Sequence, residues 1–133
     1  MADRITMKVP GKPEYVGTVR LAVSHTASRR GFDIDAIEDI KVAVSEACTN
    51  IVCHAHENPN FTYEVFIDIS EAFTVTVKDE GVGFGLDEYT PPVPGESRGS
   101  GMGIYIIKAL MDEVEIQSEP GAGTCIRMVK HLR

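Results

Sequence analysis

Apolar residues recur along the chain at two different spacings, which predict helices and strands. Two segments place apolar residues three or four positions apart, as amphipathic helices do. The first begins near Pro13 and ends at Gly31; the second begins at Asp35 and ends near His56. Pro13 suits a first helical turn and Gly31 suits a helix stop. Asp35, followed three residues later by Glu38, predicts a capping box and therefore an N-cap at Asp35.

Strict alternation of apolar and polar residues predicts strands, and two such runs in succession predict a hairpin with one buried face. The predicted strands are Arg4–Val9, 61–70, 73–77, 114–118 and 124–129. A third helix is predicted from Gly101 to Met111. The order β, α, α, β, β, loop, α, β, β predicts an α/β (α+β) fold: a two-layer sandwich whose mixed, mostly antiparallel sheet is covered on one face by helices.

The segment between the hairpin and the third helix has a different composition. It contains DEYTPPVPGES, whose prolines are incompatible with a helix or a central strand. Residues 84–98 are therefore expected to form a loop. A chain of 133 residues is most simply one domain, 1–133, long enough to bury a core.

Composition narrows the classes of function. The net charge is −7 and there is no Lys/Arg block, which argues against direct binding to nucleic acid. No apolar run is long enough for a bilayer, and MADRITMKVP has no signal-peptide core. Three cysteines without CxxC spacing fit reduced thiols in a cytoplasm. Cys53, His54 and His56 lie close together, but we favour packing over metal binding because no second ligand pair accompanies them.

One side of the second helix carries polar residues of types that serve in acid–base catalysis and metal binding. Glu46, Asn50 and His54 stand four residues apart and therefore share that side. A carboxylate accepts a proton from a hydroxyl group, and a carboxamide oxygen is a hard ligand suited to Mg²⁺. Polar residues that share one side of a helix are more commonly a solvent-exposed face without a chemical role.

The stretch DEGVGFG follows the hairpin. Asp79 ends a predicted strand, and its carboxylate can accept a hydrogen bond from an exocyclic amine such as that of adenine. Gly81 and Gly83 leave the backbone bare, so that a flat ring can approach it. The alternative is a glycine-rich turn with an exposed aspartate.

A second glycine-rich stretch, RGSGMG, leads into the third helix. Gly99, Gly101 and Gly103 alternate there. Free amides and the helix dipole make such a helix start an anion site. The stretch lacks the Lys-Ser/Thr of a P-loop and the βαβ context of a Rossmann fingerprint.

In this order the three motifs, ExxxN on a helix, DxGxG after a strand and GxGxG at a helix start, resemble those of the GHKL ATPase superfamily, which has the Bergerat ATP-binding fold. VSEACTN, DEGVGF, SGMGIYIIKALMDEVEI and GTCIRMVKHL are similar to the anti-sigma-factor serine-protein kinases, the switch kinases of bacterial partner-switching modules. MKVPGKPEYVG fits the stress-response type of that group. The resemblance extends from about Met7 to Leu132.

The resemblance implies ATP and Mg²⁺ as cofactors and an ATP lid at about 84–98. It implies that Glu46 is the catalytic base, that Asn50 holds Mg²⁺ and that Asp79 binds the adenine amino group. The other implied nucleotide-binding residues are Gly81 and Gly83 at the adenine, Gly99, Gly101 and Gly103 at the phosphates, and Thr124, which helps to position adenine through Asp79 and water.

The resemblance also implies partners. The protein is expected to phosphorylate an anti-anti-sigma (STAS) antagonist, to sequester an RNA polymerase sigma factor, to form a homodimer and to work in the cytoplasm, without contacting nucleic acid or membrane. Two alternatives stay open. One is an ATP-gated anti-sigma binding module without significant kinase activity. The other is a detached histidine kinase catalytic domain, to which a chain opening on a short strand is a poorer match.

Overall fold

The structure is a computed structural model that describes residues 2–53, 59–79, 100–119 and 123–132. A short 3₁₀ turn, Pro13–Tyr15, leads into the first helix. The elements in chain order are β1 Asp3–Pro10, α1 Val16–Arg30, α2 Ile34–Cys53, β2 Thr62–Ile69, β3 Ala72–Asp79, α3 Ser100–Leu110, β4 Glu113–Glu119 and β5 Gly123–His131.

The described strands form one five-stranded sheet in the order β1-β2-β3-β5-β4, and every neighbouring pair is antiparallel. Alternate apolar side chains of the central strands are buried, as the period of two requires when one face is covered. They join the inner faces of the three described helices in a single core. The predicted two-layer, mostly antiparallel fold is confirmed.

The helix ends show where local signals act. Gly31 follows α1 with φ 112° and its N–H donates to the carbonyl of Ala27, so glycine stops this helix as predicted. The predicted N-cap of α2, Asp35, is wrong. Asp33 Oδ1 accepts a hydrogen bond of 2.9 Å from the Ala36 N–H, so Asp33 is the cap and Asp35 lies in the first turn.

Two contacts set the direction in which α2 runs along the sheet. Before its start, the Phe32 ring packs edge-on against Phe73 with centroids 5.5 Å apart. Further along, the Cys48 thiol lies beside the Tyr63 hydroxyl in the core. Tyr63 precedes Glu64, and Glu64 is paired with Lys78. Tyr63 is therefore level with Asp79, the last residue of β3. The C-terminal half of α2 therefore lies at the end of the sheet where Asp79 is found.

The opposite end of the sheet anchors α3. Lys130 is only 8% exposed, and its Nζ donates a 2.6 Å hydrogen bond to the Leu110 carbonyl at the end of α3. The same ammonium lies 3.6 Å from Asp39 Oδ2 on α2. A buried cation that binds the last carbonyls of a helix satisfies an acceptor that the helix leaves open. Because Lys130 is paired with Phe73, the end of α3 is held far from Asp79.

No helix in the described ranges is both long and apolar enough to cross a membrane.

Candidate functional site

The first turns of α3 pack directly against the side of α2 that carries Glu46. A Cβ added at Gly103 would lie 3.0 Å from Glu46 Oε2 and 3.7 Å from Glu46 Cβ. Only a residue without a side chain allows so close an approach without moving the carboxylate. Glu46 is half-buried there. The structure thus brings together the ExxxN helix and the second glycine motif, which the sequence separates by more than fifty residues.

Asn50 lies one turn beyond Glu46, about 6 Å further along the axis of α2. Its side chain is 1% exposed, so the solvated-face alternative is wrong for this residue. Among the described residues, neither its carboxamide oxygen nor its nitrogen has a hydrogen-bond partner. A buried polar group without a partner costs about 1–3 kcal/mol. A buried amide of this kind, one turn from Glu46, is therefore a candidate ligand-binding group.

Asp79 belongs to a row of three polar residues at the end of the sheet. It is paired with Thr124 of β5, and Thr124 is paired in turn with Ser118 of β4. Paired residues in an antiparallel sheet share a face. Asp79, Thr124 and Ser118 are all at least 97% buried, and the two hydroxyl oxygens are 2.8 Å apart. A cavity of about 230 Å³ at this end of the sheet has all three in its lining.

Ser118 was not predicted as a site residue from the sequence. The signal that would have found it is the register of β4 against β5: once Glu119 is set opposite Gly123, Ser118 must lie opposite Thr124. The pattern within one strand does not fix such a register.

Six of the nine predicted site residues fall within the part of the chain that the structure describes. Glu46, Asn50, Asp79, Gly103 and Thr124 lie at the same end of the molecule. Gly101 falls in the first turn of α3. The remaining three, Gly81, Gly83 and Gly99, lie outside the described residues, as does the predicted lid at 84–98.

The structure gives no support to a site built from cysteine or histidine. In the described ranges there is no group of three or more His, Cys, Asp or Glu residues placed to hold a metal ion. His54 and His56 lie outside those ranges. Burial raises the pKa of the Cys48 thiol to about 12, with a small opposing effect from the Tyr63 hydroxyl. Cys48 is therefore a protonated core residue and is not a nucleophile.

Comparison with known proteins agrees with this arrangement. The model of the family described as "Histidine kinase-like ATPase domain" matches residues 9–130. The chain is 45% identical to the serine-protein kinase RsbW of Bacillus subtilis (strain 168), over 98% of this chain and 87% of that protein. It is also 45% identical to the serine-protein kinase RsbW of Bacillus velezensis, over 98% of this chain and 86% of that protein.

A solved structure shares the fold. The crystal structure of the RsbU and RsbW domains of Rv1364c from Mycobacterium tuberculosis superposes with a TM-score of 0.73 at 20% sequence identity. The match covers 98% of this chain and 32% of that one.

Fold, site and matched family model define an ATP-using domain of the histidine kinase-like class. The chain belongs to this family, and within it to the serine-protein kinases represented by the two Bacillus relatives. The predicted membership of the anti-sigma-factor serine-protein kinases is confirmed, and with it the prediction of an ATP-dependent protein serine kinase.

Proposed function

We propose that this kinase transfers the γ-phosphoryl group of ATP to a serine of an anti-anti-sigma (STAS) antagonist, and that Glu46 is the catalytic base. In this step Glu46 takes the proton of the serine hydroxyl, and the serine oxygen bonds to the γ-phosphorus. The bond from that phosphorus to the bridging oxygen breaks and ADP leaves. The observation that carries the proposal is the 3.0 Å separation between Glu46 Oε2 and the position of a Cβ at Gly103. With the phosphates assigned to the start of α3, the base that serves them has to lie beside that helix start.

The remaining site residues are assigned to the nucleotide. Asp79 and Thr124 bind the adenine, with Gly81 and Gly83 forming the rest of its pocket. Gly99, Gly101 and Gly103 bring bare backbone to the phosphates, and residues 84–98 form the lid over them within a single domain, 1–133. The buried pairing of Asp79 with Thr124 supports the first assignment, because a buried carboxylate and hydroxyl offer the hydrogen bonds that a base edge needs.

Mg²⁺ is assigned to Asn50. The buried carboxamide without a partner among the described residues fits a hard oxygen-seeking cation, for which an amide oxygen is an ordinary ligand. When bound, Mg²⁺ would neutralise charge on the phosphates. The contribution of the chain is to hold the Asn50 oxygen rigidly on α2, one turn from Glu46.

The kinase activity is tested by mixing the protein, Mg-ATP and the STAS antagonist and measuring phosphoserine on the antagonist. We expect Glu46→Gln to slow transfer by about 10²- to 10⁴-fold, the usual contribution of a general base, while ADP affinity changes little. The matched control is Glu38→Gln, because Glu38 lies on the same helix but is exposed and paired with Lys41. Transfer by Glu46→Gln at the wild-type rate would rule out the base.

We propose further that the protein sequesters an RNA polymerase sigma factor when the antagonist is phosphorylated, and that it acts as a homodimer in the cytoplasm. The names of the relatives support a serine-protein kinase. A pull-down from the native cell, made once with ATP and once with ADP, should recover the sigma factor with ATP and the antagonist with ADP. Sedimentation of the purified chain gives its mass; a monomer at the cellular concentration would contradict the dimer.

A further inference from the structure

Lys130 is a buried cation at the end of the sheet opposite to the candidate site, and it contacts both α2 and α3. Its Nζ donates a 2.6 Å hydrogen bond to the carbonyl oxygen of Leu110, the last residue of α3, and lies 3.6 Å from Asp39 Oδ2 on α2. Because Lys130 is only 8% exposed, these two oxygens take the place of water around its ammonium group. Lys130 therefore links β5, α2 and α3 at one point.

The same two helices also meet where Gly103 approaches Glu46. On α3, Gly103 lies seven residues before Leu110. On α2, Glu46 lies seven residues after Asp39. Seven residues are about two helical turns, or about 10.5 Å, so the two contacts are equally far apart on both helices and lie on one side of each. The helices are therefore antiparallel, with the Lys130 bridge and the Gly103 contact in register.

The packing between these two points is apolar. Ala43 of α2 and Ile107 of α3 lie midway along the two segments, and both are fully buried. The hydrophobic effect is non-directional, so it favours burial over a range of positions of α3 along α2. A hydrogen bond and an ion pair depend instead on the distances between particular atoms. The Lys130 bridge is therefore suited to fix the axial position of α3.

Two further hydrogen bonds hold the chain just after α3. The Asp112 N–H donates to the Val129 carbonyl at 2.9 Å, and Asp112 Oδ2 accepts from the His131 N–H at 2.7 Å. Both bonds join the α3–β4 connection to β5, and neither involves an atom of α2. They hold α3 to the sheet, whereas the bridge through Lys130 relates α3 to α2.

We propose that Lys130 is a positioning residue for phosphoryl transfer: its bridge to Asp39 sets the axial position of α3 on α2, and with it the place of the Glu46 carboxylate beside the start of α3. The inference rests on the proposed function, in which Glu46 is the base and the phosphates lie at that helix start. The rate depends steeply on such geometry, since a displacement of about 1 Å can lower it by about 10²-fold.

The test measures phosphoryl transfer from Mg-ATP to the STAS antagonist in a single turnover, with the full chain. Lys130→Met keeps an unbranched side chain and removes the ammonium group, so it should lower the rate by about 3- to 10-fold. Lys108→Met removes the same charge from an exposed position in the last turn of α3. It is the matched control and should transfer at the wild-type rate. A wild-type rate in folded Lys130→Met would overturn the inference.

A second background separates positioning from support of the fold. In Glu46→Gln no carboxylate is left to be placed, so adding Lys130→Met should change the residual rate by less than about 2-fold. Each rate is divided by the folded fraction that urea denaturation gives for that variant. A role in support of the fold alone would lower transfer by the same factor in both backgrounds, and that result would overturn the inference.

Asp39→Ala tests the same bridge from α2. Asp39 is partly exposed and alanine favours a helix, so this variant should fold. It should lower transfer by about 2- to 5-fold, the equivalent of a partly exposed ion pair, and should add nothing in the Lys130→Met background. If Lys130→Met does not fold, Asp39→Ala is the deciding variant, and a wild-type rate for it overturns the inference.

Failure of the proposed function gives a different result. If Glu46→Gln transfers at the wild-type rate, the proposed base and this inference are rejected together. If Glu46→Gln is slow while Lys130→Met and Asp39→Ala are fully active, the inference alone is rejected and the proposed function stands.

Discussion

At the scale of single residues, the buried amide of Asn50 is expected to lower the free energy of unfolding while providing a ligand-binding group. Its carboxamide is buried and has no hydrogen-bond partner among the described residues, so the fold bears a desolvation cost of about 1–3 kcal/mol. Leucine has the same number of side-chain heavy atoms with the same branching, and no polar atoms. We therefore expect Asn50→Leu to raise the free energy of unfolding in urea, without nucleotide, by about 1–3 kcal/mol.

Thr49→Leu, at the exposed neighbouring position, is the control and should change stability by less than about 0.5 kcal/mol. The Asn50 variant should also lose the Mg²⁺ dependence of nucleotide binding. A lower stability for Asn50→Leu would show that the amide is satisfied in solution and would remove the physical reason for assigning it to a cation.

Substitution of Gly103 by alanine is expected to change stability and activity independently. Alanine favours a helix over glycine by about 0.5–1 kcal/mol. Its Cβ would press on Glu46 Oε2, the free end of a flexible side chain, which can move aside. Gly103→Ala should therefore fold at least as stably as the wild type. Because Glu46, the proposed base, is displaced, phosphoryl transfer should fall by about 10-fold or more.

The comparison variant is Gly17→Ala on α1, where the added Cβ meets only Arg20 Nη2 at 3.4 Å. It gains the same helix propensity, and its transfer rate should equal that of the wild type. Full activity in Gly103→Ala would mean that the position of Glu46 beside α3 does not matter for catalysis.

At the scale of elements, the start of α2 shows why a correct element can have a wrong boundary. Asp33 and Asp35 are equally good caps by composition, and the capping-box spacing to Glu38 favoured Asp35. In the structure Asp33 accepts the hydrogen bond of the Ala36 N–H, 2.9 Å away. Asp33→Ala should cost about 1 kcal/mol of folding free energy, whereas Asp35→Ala should cost only a few tenths through the helix dipole. Urea denaturation of the two variants checks this, and the reverse order would contradict the observed cap.

The elements themselves were predictable because their hydrophobic periods are strong. The hairpin of β2 and β3 was expected at 61–70 and 73–77 and is found at Thr62–Ile69 and Ala72–Asp79. The sequence motifs also gave Glu46, Asn50, Asp79, Gly103 and Thr124 as a candidate site. Their proximity could not be derived locally, because it depends on how α3 packs on α2 and how β3 pairs with β5.

The burial of Asn50 and the place of Ser118 in the buried polar row illustrate what was not predictable. A polar residue on a helix looks solvated from sequence unless the element that covers it is known, and here α3 lies next to that side of α2. Ser118 belongs to the site only through the register of β4 against β5. Both are consequences of long-range pairing, which propensity and period do not determine.

At the scale of the whole molecule, stability should depend on alkaline pH through the core. Burial raises the pKa of Cys48 to about 12 from its ordinary value of 9.0, and burial also raises the pKa of Tyr63. Above about pH 9 the unfolded chain releases the thiol proton while the native state keeps it. The unfolded state then binds fewer protons, so the free energy of unfolding falls as pH rises, by up to about 1.4 kcal/mol per pH unit for each group.

Urea denaturation between about pH 8 and pH 10 measures this slope. Cys48→Ala should make it shallower by close to one proton over the upper half of that range, whereas Cys53→Ala, at an exposed thiol, should keep the wild-type slope. Identical slopes for Cys48→Ala and the wild type would contradict a thiol that stays protonated in the native core.

The two ends of the sheet differ in what they contribute. The end around Lys130 fixes α3 to the sheet, and the end around Asp79 gathers the polar residues of the site. If this arrangement binds nucleotide as proposed, ligand should stabilise the native state by mass action, because the unfolded chain has no such site.

The most direct measurement is a calorimetric titration of Mg-ADP into the wild type and into Asp79→Asn. Replacing the carboxylate by an amide changes one of its two acceptor oxygens into an NH₂ donor. That donor cannot accept the hydrogen bond of the adenine amino group. We predict saturable binding at one site per chain in the wild type and an affinity at least about 10-fold lower in Asp79→Asn. No heat of association in the wild type, or equal affinities in the two proteins, would contradict the assignment of this site to adenine nucleotide.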